Sequence, residues 1–200
     1  HTASLIDQIC MAALLIPLMY DDTNGTRNLS ELSRMIPHNF FGNIPSKNVE
    51  HLFINWSEKY RQYSKVINDK GRQYAKTREY DKEITFDLKD FFPSIDPSRI
   101  LNYIWVKLSS KYKTDEEQKC LKTVITKLLY FRIKEQNLDN WLDVYYPNMS
   151  ISAKDGYYIS RGIAQGLPQS YFFGNLCMID VAEKMKATNG LDNSDSYFYV

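Results

Sequence analysis

The sequence has little of three features that would assign it at once to a broad class of protein. Its three cysteines, Cys10, Cys120 and Cys177, are far apart and odd in number, so we expect neither disulfides nor a zinc site, and a cytoplasmic location fits best. The formal net charge is only +1, which gives no global argument for a polyanionic partner. The most apolar run, from Ile9 to Tyr20, is shorter than the roughly 20 residues of a membrane span, so no membrane partner is expected.

What the sequence does contain is enough apolar material for a folded core. Apolar residues make up 44% of the 200 positions, which predicts a globular protein, and the length predicts one domain or one and a half. No Gly-Lys-Ser or Gly-Lys-Thr phosphate-binding loop occurs, so an NTPase of that type is not indicated.

One carboxylate stands out by its position. From Glu83 to Leu88 apolar and polar residues alternate, which predicts a half-buried strand with Asp87 near its end. Bulky residues follow directly at Phe91 and Phe92. Asp96-Pro97 then predicts a helix, with aspartate as the N-cap and proline in the first turn.

The remaining segments alternate between helical and strand-like patterns. We predict helices over Thr2–Tyr20, Val49–Val66, Pro97–Tyr112, from Asp115 onward and over Ser170–Lys186. In the first helix Leu5, Ile9 and Ile16 are expected to face the core, and in the second the aromatic stripe is expected to do so. Asp155-Gly156 predicts a hairpin. Together these elements predict an α+β fold.

Two further stretches carry residues suited to nucleotides. Residues 161–170 place Gln165-Gly166 before a helix that begins near Ser170; glycine permits close backbone approach, and the amide can bond a base or a sugar. Residues 59–82 are dense in basic and tyrosine side chains. This mixture suits phosphates and bases, although a solvated helix face would have the same pattern.

These motifs resemble those of reverse transcriptases. Asp87 followed five residues later by Phe92 is similar to the family's first catalytic motif, and Gln165-Gly166 with Ser170 is similar to its Gln-Gly-x-x-x-Ser motif. Residues 196–200 resemble the strand that leads into the Tyr-x-Asp-Asp motif, with Tyr199 as its tyrosine. The resemblance covers residues 84–200 better than the first 80.

The resemblance implies a fold and a reaction. The fold would be a right-hand polymerase palm, a split βαβ antiparallel sheet covered by helices, over residues 83–200, preceded by helical fingers over residues 1–82. The reaction would be two-metal nucleotidyl transfer with deoxynucleotides, using Mg²⁺ or Mn²⁺. Asp87 would bind both metals, and the carbonyl of Leu88 would assist.

The resemblance also implies roles for other residues. Phe92, beside Phe91, would exclude the 2′-hydroxyl of a ribonucleotide, and Gln165-Gly166 would lie beside the nascent base pair. The nearest candidates for triphosphate contacts are the basic residues Arg72, Lys76 and Arg78. Primer or template contacts would come from Tyr199 and Ser170.

Ala164 and Ser170-Tyr171 depart from the retron and group II intron pattern. The stretch is more similar to prokaryotic abortive-infection and defence-associated reverse transcriptases, which implies DNA synthesis in antiphage defence, either template-independent or primed from a protein hydroxyl. RNA is an expected partner, as template or as non-coding RNA, and self-association stays open. Two alternatives remain: a retron-type enzyme that copies RNA, and a non-catalytic palm that binds RNA or acts as a scaffold.

Overall fold

The structure combines helices with short antiparallel strands, as the α+β prediction requires. It is a computed structural model that describes residues 4–23, 26–78, 83–130, 132–134, 152–154, 157–159, 162–189 and 197–199. The helices are α1 (Leu5–Met19), α2 (Glu31–Arg34), α3 (Trp56–Thr77), α4 (Phe91–Ser94), α5 (Pro97–Leu108), α6 (Asp115–Leu129) and α7 (Pro168–Asn189), with a 3₁₀ turn at Ser109–Lys111. The strands are β1 (Tyr20–Thr23), β2 (Thr26–Leu29), β3 (Arg132–Lys134), β4 (Ser152–Lys154) and β5 (Tyr157–Ile159). None of the helices in these stretches is long and apolar enough to cross a lipid bilayer.

The chain divides into two compact units, each assembled from separated stretches. Unit 1 contains His1–Leu18 and Asp90–Gly174, and unit 2 contains Met19–Lys89 and Asn175–Val200. The units therefore interleave along the sequence. The expected division of the chain into a fingers region before residue 83 and a palm from residue 83 onward stays a prediction.

In unit 1, α5 and α6 begin where local sequence signals predict and pack against each other. The Asp96 carboxylate accepts a hydrogen bond from the Ser98 backbone N–H at 2.9 Å, which is the expected N-cap. Thr114 and Glu117 form a reciprocal capping box at the start of α6. Because these backbone hydrogen bonds favour the charged carboxylate, the pKa of Glu117 is lowered.

The sheet of unit 1 has the strand order β3-β5-β4, with both pairs antiparallel. The pairing of Ser152 with Ile159 and of Lys154 with Tyr157 confirms the predicted hairpin strands. The turn at Asp155-Gly156 and the predicted loop at 136–150 lie outside the described residues. Strand β3 has no sequence prediction, because three residues are too few to show a period.

Unit 2 begins with a hairpin. β1 and β2 pair from Tyr20 opposite Leu29 to Thr23 opposite Thr26, which leaves only positions 24 and 25 between the strands. The Tyr20 hydroxyl donates to the carbonyl of Leu52 at 2.6 Å. Burial is the main reason that the pKa of Tyr20 is raised, and the nearby Arg27 opposes that shift.

The buried side of α1 differs from the predicted one. Leu5 and Ile9 are 72% and 60% exposed, whereas Leu15 and Leu18 are buried. The spacing of apolar residues correctly predicts a helix, but it cannot show which turns have a neighbour. The helix also ends at Met19 and includes Pro17 in its last turn.

The predicted second helix is shifted along the sequence. Helix α3 covers Trp56–Thr77 instead of Val49–Val66, because the Asn55 side chain accepts a hydrogen bond from the Ser57 backbone N–H and caps it there. No side chain of α3 is buried. The prediction that its aromatic stripe is core is therefore wrong: Trp56 is 69% and Tyr60 is 51% exposed.

Residues 83–88 do not form the predicted strand. They have neither helix nor strand structure and are exposed, with Ile84 83% and Phe86 55% accessible. An alternating pattern produces a strand only when a second strand supplies backbone partners. Among the described residues, no backbone hydrogen bond joins residues 83–88 to such a strand.

Candidate nucleotide-binding site

In unit 1 the turn after the predicted catalytic aspartate contacts the bend before Gln165. The Phe92 carbonyl accepts a hydrogen bond from the backbone N–H of Ile163 at 3.1 Å and another from Ile95 at 3.3 Å. One carbonyl thus closes its own turn and fixes a segment about 70 residues away in sequence. The segment that follows Asp87 and the segment that precedes Gln165 therefore meet in space, and both belong to motifs that resemble those of reverse transcriptases.

Gly162 makes this contact possible because it has no side chain. A Cβ atom there would lie 2.5 Å from the Pro93 Cα, 2.6 Å from the Pro93 carbonyl oxygen and 2.7 Å from the Phe92 carbonyl oxygen. Real Cβ atoms do not approach backbone so closely, so any other residue would force the two segments apart. The sequence alone does not predict this role of Gly162, because close backbone approach is only one of several reasons for a glycine.

The rings around the turn form a half-buried aromatic group. The Phe92 ring lies 5.2 Å from Phe91 and 5.8 Å from Tyr171, the latter with an edge-to-face geometry at 76°. Phe91, Phe92 and Tyr171 are all of intermediate exposure. Such packing restricts the motion of the Phe92 ring. A side chain that excludes part of a ligand by its bulk has to be held in place in this way.

Gln165 and Gly166 form an exposed bend directly before α7. Gly166 has φ +85°, a conformation that glycine adopts without a steric penalty. Ser170 follows in the first turn of α7, where its N–H donates to the Leu167 carbonyl at 3.0 Å. Its side chain is only 1% exposed, so Gln165 and Gly166, not Ser170, are accessible to a ligand.

Asp87 and Leu88 belong to unit 2 and lie in the exposed 83–88 stretch. Among the described residues, the Asp87 carboxylate has no hydrogen bond or ion pair, so its oxygens are available as ligands. The described stretches contain no cluster of three or more His, Cys, Asp or Glu residues that could hold a metal ion. The metal assignment of Asp87 and Leu88 stays a prediction.

Tyr199 lies in an aromatic cluster of unit 2. Its ring is 5.5 Å from Tyr60 and 5.7 Å from Tyr63. Burial and then the neighbouring Tyr60 raise the pKa of Tyr199. The adjacent Phe198 is anchored by backbone bonds to the loop at Asn39 and Phe41, at 3.0 Å and 2.8 Å, a partnership that the sequence does not indicate.

The proposed triphosphate residues all lie at one end of α3. Arg72 and Lys76 are exposed on the helix, and Arg78 follows it as a left-handed cap with φ 55°. The Arg78 backbone N–H donates to the Tyr74 carbonyl at 2.8 Å. Each of these cations faces solvent, and their role with a triphosphate stays a prediction.

Asn175 has a structural role that its sequence motif does not reveal. It is fully buried, and its Nδ2 donates to the carbonyl oxygens of Gly42 and Asn43, both at 3.0 Å. Asn43 has φ 48°. A single amide thus holds a strained loop against α7, and no local pattern predicts a bond across more than 130 residues.

Comparisons with protein-family models, curated proteins and solved structures give no match. The fold and the site geometry define a mixed helix-and-strand protein whose Phe92 turn and Gly162 bend are in close contact.

Proposed function

We propose that this chain is part of a reverse-transcriptase-type DNA polymerase, comprising its palm and a helical fingers portion, that transfers deoxynucleotides in antiphage defence. The observation that carries the proposal is the contact of the Phe92-Pro93 turn with Gly162 and Ile163. A site that selects deoxynucleotides requires a bulky side chain beside the sugar, and an accessible bend can contact the base. Phe92 and Gln165 supply these two features within one unit.

The carboxylate chemistry of the proposal depends on Asp87. Mg²⁺ prefers hard oxygen ligands and keeps several waters, so an exposed carboxylate that has no partner among the described residues is a suitable donor. When bound, the metal pair would activate the attacking hydroxyl and neutralise charge on the triphosphate. Asp87 would contribute its carboxylate and Leu88 its carbonyl oxygen.

Phe92 gives the proposal a specificity that can be measured. Its ring is held by Phe91 and Tyr171, so it presents a fixed bulk. We expect the wild-type protein to prefer deoxynucleotides because a 2′-hydroxyl would clash with that ring. Phe92→Ala should reduce this preference, whereas Phe91→Ala should change it less. Equal discrimination by wild type and Phe92→Ala would contradict this role.

The decisive experiment compares two carboxylates three residues apart. Full-length protein is incubated with Mg²⁺ and labelled deoxynucleotides, with and without RNA. Asp87→Asn should reduce incorporation by about a thousandfold, equivalent to roughly 4 kcal/mol. Asp90→Asn is the matched control, because Asp90 is also exposed and asparagine tolerates its φ of 52°.

The results separate the candidate activities. Incorporation that Asp87→Asn abolishes and Asp90→Asn preserves supports the polymerase. Product attached to protein without RNA favours the defence-type reaction, and product that requires RNA favours the retron-type reaction. If wild-type protein incorporates nothing, or if both variants behave alike, the polymerase proposal fails and a non-catalytic palm is favoured.

A further inference from the structure

The stretch from residue 83 to residue 89 in unit 2 has the pattern of a strand but no strand beside it. Ile84, Phe86 and Leu88 are 83%, 55% and 41% exposed. Among the described residues, no strand pairs with this stretch. Exposed apolar side chains at alternate positions, on a backbone that no strand occupies, are the features to which another strand can be added.

The two faces that this stretch would have as a strand differ in chemistry, because alternate residues point to opposite faces. The apolar face would consist of Ile84, Phe86 and Leu88. The polar face would consist of Glu83, Thr85, Asp87 and Lys89. Glu83 accepts a long hydrogen bond of 3.5 Å from Thr85. In the described part of the chain neither Glu83 nor Lys89 forms an ion pair, so both charges are open to a partner.

The stretch is complementary to a second copy of itself when the two copies run antiparallel. With Phe86 of one copy opposite Phe86 of the other, the remaining opposite pairs are Ile84 with Leu88, Thr85 with Asp87 and Glu83 with Lys89. Each apolar side chain then meets an apolar one, and each glutamate meets a lysine. Cross-strand pairs of these kinds stabilise antiparallel strands.

Neighbouring registers lose this match. A shift by two residues keeps the faces but places Glu83 opposite Asp87 in one direction and Asp87 opposite Asp87 in the other. A shift by one residue turns the apolar face of one copy towards the polar face of the other. Because like charges directly opposite each other are destabilising, the side chains favour the register that is centred on Phe86.

We propose that residues 83–89 pair antiparallel with the same residues of a second copy of this chain, with Phe86 at the twofold axis. Such a pair is closed, because both copies contribute the same surface. It supplies the backbone partners that the alternating pattern requires. The shared surface is short, so the dimer should be weak and should dissociate on dilution. This interface goes beyond the proposed nucleotidyl transfer, and neither proposal depends on the other.

Charge reversal tests the predicted pairs. Sedimentation velocity of full-length protein over a wide concentration range gives the dissociation constant. Glu83→Lys or Lys89→Glu places like charges together at two points of the interface. Each variant alone should therefore raise the dissociation constant by about thirtyfold, equivalent to roughly 2 kcal/mol. Circular dichroism verifies that each variant is folded.

A mixture of the two variants should restore the dimer. One copy then carries two lysines and the other two glutamates, so both cross-strand pairs are again of opposite sign. A matched control reverses two other exposed charges of unit 2, Glu50→Lys and Lys47→Glu. These variants change the net charge by the same amounts, and they should leave the dissociation constant close to that of wild type.

A disulfide tests the register. The background is Cys10→Ser/Cys120→Ser, which removes the two exposed cysteines. Directly opposite residues have Cα atoms about 4.5 to 5.5 Å apart, which a disulfide can span. Phe86→Cys should therefore give a covalent dimer on air oxidation with copper phenanthroline. Ile84→Cys should not, because its two copies would be about 14 Å apart.

Four results would overturn the proposal. A wild-type protein that stays monomeric at every concentration would indicate that residues 83–89 pair within their own chain. A dimer that neither reversal at Glu83 or Lys89 weakens would lie elsewhere on the surface. Failure of the mixed variants to associate would exclude the predicted charge pairs. Equal cross-linking by Phe86→Cys and Ile84→Cys would exclude the register.

Discussion

Helices α3 and α7 are both 22 residues long, yet they differ in almost every other respect. Helix α7 buries a succession of large side chains that includes Phe172, Phe173 and Leu176. Helix α3 buries none and carries six basic residues. One helix builds the interior, and the other presents charge to solvent.

The difference shows that a regular helix and a core helix are separate outcomes. Aromatic residues recur at helical spacing in α3, but its rings at Trp56 and Tyr60 remain largely exposed. In α7 the apolar residues occur all around the helix, which predicts burial on several sides. Composition around the whole circumference is therefore a better guide to burial here than the presence of a single stripe.

The largest difference in stability between the two helices is expected when one aromatic ring is removed from each. Phe173 is fully buried, so Phe173→Ala should lower the free energy of unfolding by about 3 to 5 kcal/mol. Trp56→Ala on α3 should cost less than about 1 kcal/mol. Urea denaturation measures both. Similar losses would show that α3 is part of the core.

A second test uses asparagines, one from each helix. Asn175→Ala on α7 removes a buried hydrogen bond to Gly42 and a part-buried one to Asn43 and should cost about 1 to 3 kcal/mol. Asn68→Ala on exposed α3 should be neutral or stabilise slightly, because alanine is the better helix former.

Asn175→Asp separates hydrogen bonding from packing at the same site. The variant keeps the shape of the side chain but places an acceptor against two carbonyl oxygens, so it should destabilise at least as much as alanine. If Asn175→Asp retained wild-type stability in urea denaturation, the two hydrogen bonds would carry no net energy.

The smallest effect is expected from a glycine within α3. Nothing lies within 4 Å of a Cβ atom built at Gly71, so Gly71→Ala should stabilise the protein by about 0.5 to 1 kcal/mol through lower unfolded-state entropy. Ala75→Gly, at another exposed position of the same helix, should destabilise by a similar amount. Thermal unfolding measures both, and loss of stability in Gly71→Ala would reveal a partner on this face.

Local signals predicted much of the fold correctly. Asp96-Pro97 sets the start of α5, and the residues around Asp115 set the start of α6. The strands around positions 155 and 156 also pair as expected. Each of these features depends on hydrogen bonds between residues close in sequence, so nearby side chains suffice to specify them.

Features that require a distant partner were not predictable in the same way. The alternation of residues 83–88 predicts a strand that the structure does not contain, since pairing depends on another segment. The apolar pattern predicts that α3 begins at Val49, whereas the cap at Asn55 places the start of the helix at Trp56. At the candidate site, the sequence motifs indicate Phe92 and Gln165, but no local pattern indicates the contact that joins their segments.

The sequence by itself determined where several helices begin and how charge is concentrated in α3, and it indicated the candidate site residues. Only the tertiary structure decided which of those faces became buried, that Gly162 lies against Pro93, and that Asn175 holds the loop at Gly42. The physical reason is range. Caps and turns are closed by neighbours a few residues away, whereas burial and close backbone contact depend on segments that meet only when the chain has folded.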